Sequence, residues 1–134
     1  MKIRQCFISN SSSTSFIITS KNVLTEDVLL ELSKVDEDSI FYDIIKQMVN
    51  VIVDNINELK TENDIYNNFG EHDSLDEFVK CNEYLTMPIL NFKNKNHHLY
   101  IGSFSNESDS LEAGLSYSKI YTNIEDFYFS TDYY

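Results

Sequence analysis

Apolar residues near the start of the chain come in two short runs, Cys6-Phe7-Ile8 and Phe16-Ile17-Ile18. The second is β-branched and brief, as in a buried strand. Between them Ser9-Asn10-Ser11-Ser12-Ser13-Thr14-Ser15 reads as a loop or bulge, because these side chains offer the backbone local hydrogen bonds. Thr25 then stands where an N-cap belongs, with Glu26 and Asp27 suited to the positive end of a helix and Val28, Leu32 and Val35 at helical spacing. The clearest periodicity follows. Phe41, Ile44, Ile45, Met48, Val49, Ile52, Ile56 and Leu59 recur at three- and four-residue intervals and predict one long core helix over about 37–60. Val51 and Val53 widen its stripe, so burial on more than one side is expected.

Farther on, Thr61 to Phe69 reads as a short helical stretch closed by Gly70, and Ser74 with Glu77 forms a capping-box pattern ahead of Leu75, Phe78 and Val79. Met87-Pro88 is expected to end that helix, since the residue before proline is pushed toward extended geometry. The alternation then changes. Ile89 to Phe92 and Leu99 to Phe104 around Lys93-Asn94-Lys95-Asn96 predict a hairpin, and Leu115 to Tyr121 and Phe127 to Tyr133 predict two more strands, with Phe127, Phe129 and Tyr133 on one face. The chain is thus read as one α+β domain over 1–134. It has an N-terminal strand, three to four helices, then an antiparallel sheet of about four strands covered by helices on one face.

Charge narrows the function. Residues 25–90 carry sixteen acids against four lysines, and the whole chain has a net charge of −12. Phosphate backbones are held by Lys and Arg releasing counterions, so direct binding of DNA or RNA is disfavoured, whereas a basic protein surface would be attracted. No apolar run reaches the length of a membrane span, and Met1 to Asn10 lacks the apolar core of a secretory signal; a cytoplasmic location is expected.

Catalytic patterns are missing. No glycine flanks the serines as a nucleophile elbow requires, and no CxxC pair, HExxH, P-loop or calcium loop occurs. Adjacent His97 and His98 on a strand point to opposite faces and do not suit one metal. Cys6 has Arg4 and Lys2 nearby in sequence, which would favour its thiolate, while Cys81 falls near an apolar helix face and reads as a small buried hydrophobe. The expectation is a non-enzyme with no cofactor and no metal. Its densest acidic groups are Asp36, Glu37 and Asp38 before the long helix and Asp73, Asp76 and Glu77 around the capping box. The tyrosine-rich C-terminal region offers Tyr117, Tyr121 and Tyr128 as interface aromatics.

Residues 4–18, RQCFISNSSSTSFII, resemble the N-terminal signature R-x-x-F-[IV]-S-N-S-S-S-[ST]-S-F of small proteins of phages and mobile elements, with Cys6 where glycine usually precedes the first Phe. The resemblance supplies a phage-type context. Together with the charge and size it suggests an accessory protein that binds and inhibits a basic host protein. The most concrete version is a nucleic-acid-handling defence enzyme blocked in the manner of small acidic anti-CRISPR proteins. A self-assembling protein that pairs strand edges or tyrosine faces is the alternative, followed by a small enzyme or ligand sensor.

Overall fold

The computed structural model describes residues 13–105, 110–116 and 119–131. Its central strand β1 (Ser13–Ser20) is flanked by antiparallel β3 (His98–Ser105) and β5 (Phe127–Ser130). β2 (Ile56–Leu59) and β4 (Tyr121–Ile124) close the edges, giving the order β2-β3-β1-β5-β4. Helices α1 (Glu26–Ser33), α2 (Tyr42–Asp54), α3 (Glu62–Phe69), α4 (Leu75–Cys81), α5 (Thr86–Asn94) and α6 (Ser110–Ser116) complete the α+β architecture.

Helices cover both faces of the sheet, not one. The pleat of β1 sends Phe16 and Ile18 to a core shared with Tyr100, Phe104, Phe127 and Phe129 and closed by Leu29 of α1, Val49 and Ile52 of α2 and Leu115 of α6. Ile17 points the other way, into a core with Leu59, Leu99, Ile101 and Tyr128, closed by Ile65 and Phe69 of α3, Leu75 and Phe78 of α4 and Ile89 of α5. A strand buried on both sides reads as a continuous apolar run, as Phe16-Ile17-Ile18 does. β1 also begins at Ser13, so the end of the serine tract is strand and Ser15 is fully buried; the rest of the tract lies outside the described residues.

The long helix predicted over 37–60 is shorter. Residues 36–41 form successive turns, with Ser39 N–H bonded to Asp36 O at 2.9 Å and Tyr42 N–H to Ser39 O at 3.1 Å. At the other end Asn55 turns its side-chain amide onto Val51 O at 2.7 Å, and the chain leaves as β2. Asn competes for helical carbonyls in this way, and β-branched Ile56 suits the strand that follows. Ile56 and Leu59, counted into the helical stripe, face opposite sides of the sheet: Ile56 packs on the α2 side and Leu59 on the α3 side. β3 runs so close to this junction that a side chain at Gly102 would collide with the Asn55 carbonyl and the Phe16 ring.

One predicted strand is a helix, and the start of another, Leu115 to Tyr121, is helical while its last residue, Tyr121, opens β4. Ile89 to Phe92 lies in α5, where Pro88 occupies the first turn and its missing N–H costs no helical bond. Buried Asn91 of α5 donates to the Thr19 hydroxyl of β1 at 3.0 Å, tying helix to sheet. Leu115 and Ser116 belong to α6, whose Leu115 is buried and whose Glu112 accepts the Ser105 N–H at 2.7 Å. The N-cap hydroxyls stand as expected, although the reciprocal capping box forms at Thr61 and Asp64 and not at Ser74 and Glu77. Thr25 accepts from Val28 N–H at 3.3 Å, and Ser74 accepts from Glu77 N–H at 3.2 Å. Gly70 closes α3 at φ 117°, a conformation in which a side chain is strained. Among the described residues no helix is long and apolar enough to cross a membrane.

Candidate docking surface

Because α2 starts only at Tyr42, the side chains just before it are not drawn onto its inward stripe. Ile40 is 90% exposed, Phe41 61% and Ile44 49%, and exposed Asp36, Glu37, Asp38 and Asp43 flank them along the chain. Isolated apolar residues on a surface are ordinary, but three large ones within five positions on one turn-and-helix start form a patch of the kind that marks interaction sites. One helical turn on, Phe41 and Ile44 are succeeded by Ile45 and Met48. These two line a groove of about 250 Å³ with Leu32, Ile124 and Phe127. An apolar centre with an acidic border is the arrangement that receives an apolar anchor surrounded by Lys or Arg.

The other predicted acids lie elsewhere. Asp73, Asp76 and Glu77 are exposed at the start of α4, in the helical layer on the opposite face of the sheet from Asp36, Glu37 and Asp38. Asp76 is paired with Lys93 at 2.9 Å, and both side chains are solvated, so the pair adds little stability. The tyrosines divide as well. Tyr121 is 64% exposed on β4, whereas Tyr128 is 5% exposed, belongs to the core beneath α3–α5, and has its phenol pKa raised by burial. Their rings meet edge-on at 5.8 Å. Tyr128 is therefore a packing residue; Tyr117 and Tyr133 lie outside the described residues.

A second cavity, about 440 Å³, opens beside β2 among Glu58, Lys60, Glu62, Lys93, His97 and His98. His98 Nδ1 lies 2.9 Å from Glu58 Oε2. His97 is 6% exposed, and its Nδ1 has no partner among the described residues. Burial lowers its pKa, Lys95 and Lys21 push the same way, and Asp126 opposes them. The cavity brings two lysines and two glutamates together, and its charges cancel. Among the described residues no group of three or more His, Cys, Asp or Glu side chains is placed to hold a metal. Cys81, the last residue of α4, is exposed, contrary to its reading as a buried hydrophobe. Cys6 lies outside the described residues.

Ile40, Phe41 and Ile44 were legible only as surplus. The stripe over 37–60 holds more apolar positions than one helix face can bury, and the surplus at its N-terminal end is what the structure leaves in solvent. No family model matches the chain, and no curated protein or solved structure matches it.

Proposed function

We propose that the chain is a non-catalytic accessory protein of phage type that docks on a basic host protein and inhibits it, most concretely a nucleic-acid-handling defence enzyme. The observation that carries this reading is the exposed Ile40, Phe41 and Ile44 patch bordered by Asp36, Glu37, Asp38 and Asp43. Apolar and aromatic anchors at the centre of an interface hold the complex together, while charges at its rim steer the encounter. The acids would meet a Lys- and Arg-lined groove that otherwise takes a phosphate backbone, and Phe41 would supply the anchor. The net charge of −12 supports steering toward such a groove.

Affinity purification from the host with mass spectrometry identifies the partner, and inhibition of that purified partner then decides the mechanism. Phe41→Ala, at a position 61% exposed, should leave the fold intact and weaken binding about 30-fold through faster dissociation, as loss of an interface hot spot of about 2 kcal/mol does. Reversing Asp36, Glu37 and Asp38 to Lys should instead slow association and flatten its salt dependence. A partner without a nucleic-acid groove, or folded variants that inhibit as well as the parent at low and high salt, would defeat the reading.

A further inference from the structure

We infer that the outer edge of β4 pairs with the same edge of a second copy, joining two sheets across a two-fold axis. Among the described residues β4 ends the sheet. β4 and β5 are linked by a two-residue turn, Glu125-Asp126, and Thr131 N–H bonds to Ile120 O at 3.0 Å. Ile120, Thr122 and Ile124 therefore turn their backbone groups toward β5, and Tyr121 and Asn123 turn theirs outward. Exposed edges are normally guarded by a charge, a proline or a bulge. The opposite edge strand β2 carries Glu58, but Tyr121-Thr122-Asn123-Ile124 carries no charge and no proline, and Tyr121 and Ile124 are 64% and 53% exposed.

Symmetry and the pleat select the register. A two-fold axis normal to the sheet keeps like faces together, so paired positions differ by an even number. Placing Thr122 opposite Thr122 of the second copy sets Tyr121 opposite Asn123, which are the two residues with outward backbone groups. It sets Ile120 opposite Ile124 on the α2 side, where Ile124 already borders the apolar groove. It also sets exposed Lys119 opposite exposed Glu125 at each end. One register thus gives apolar, Thr–Thr and oppositely charged cross-strand pairs, each of them favourable. Shifting the pairing by two residues brings Tyr121 opposite Glu125, and the charge match is lost. The occupant whose pattern complements this strand is the strand itself.

The pairing uses β4 and does not depend on the acidic patch before α2. Sedimentation equilibrium of the full chain from micromolar to millimolar concentration should show the mass doubling. Asn123→Pro removes only an outward N–H and should give a monomer with an unchanged circular dichroism spectrum. Lys119→Glu sets two like-charged pairs and should raise the dimer dissociation constant about tenfold. Adding Glu125→Lys to it should restore the parent value, a rescue that general destabilisation does not produce. If Asn123→Pro unfolds the chain, the charge-swap pair decides. A parent chain that stays monomeric throughout overturns the inference and leaves the edge to a strand of another protein. A folded Asn123→Pro chain that still dimerises overturns it, and so does a charge swap without rescue.

Discussion

His97 illustrates how one residue couples this fold to pH. Its ring is buried just ahead of β3, and burial, reinforced by Lys95, lowers its pKa. The native state therefore favours the neutral imidazole, whereas the unfolded chain takes up a proton at about pH 6.5. Stability from this group is fully present above that value and is lost as pH falls from it toward the lower folded-state pKa, because the unfolded chain then binds more protons. Thermal unfolding followed between about pH 7 and about pH 5.5 should show a melting temperature that falls with acid. His97→Gln should reduce that fall, and equal pH profiles for parent and variant would remove His97 as its cause. Other single-residue features were readable in advance where they are local. Thr25 and Ser74 cap helices because a hydroxyl three residues before an N–H needs no distant partner. Tyr128 and Cys81 were not readable, since whether a side chain is inside depends on which element lies across from it. Tyr128 shares a strand with Phe127 and Phe129 yet faces the other core.

At the scale of elements, α2 holds the sharpest contrast. Ile52 is 8% exposed against Phe16, Phe104 and Phe129, while Ile44, eight positions earlier in the same helix, is 49% exposed. Ile52→Ala should lower stability by about 2–5 kcal/mol, the cost of truncating a buried isoleucine. Ile44→Ala should stay within about 0.5 kcal/mol, as surface substitutions do. Denaturant titration of both chains measures the difference, and equal losses would mean that Ile44 is covered. The spacing of apolar residues announced a helix here but not its ends. Three- and four-residue intervals through Ile56 and Leu59 also arise when a strand is buried on both faces, and only pairing with β3 separates the two cases. The Ile89 to Phe92 segment shows the same ambiguity. Four apolar-rich residues fit either period, and the proline taken as a stop is instead the first turn of α5.

For the whole molecule, the two-layered helical cover disperses charge over both faces of the sheet. Acids stand exposed on α1, before and within α2, and at the starts of α3 and α4. The lysines are scattered among them, and Lys93 is already paired with Asp76. Such a surface repels a phosphate backbone, and among the described residues no track of Lys or Arg follows one for several phosphates. Non-specific affinity for nucleic acid near physiological salt should accordingly be weaker than the roughly 10⁻⁴–10⁻⁶ M typical of nucleic-acid-binding proteins. Fluorescence anisotropy with labelled duplex and single-stranded DNA and with RNA checks this, and a dissociation constant of about 10⁻⁴ M or tighter for any of them would defeat the expectation. The same titration repeated with the proposed basic partner present would separate two modes of inhibition. A chain that occupies the groove raises the apparent dissociation constant of nucleic acid in proportion to its own free concentration. A chain that binds elsewhere on the partner leaves a plateau. Proportional displacement, weakened by reversal of Asp36, Glu37 and Asp38, is the outcome expected if those acids stand in for phosphates.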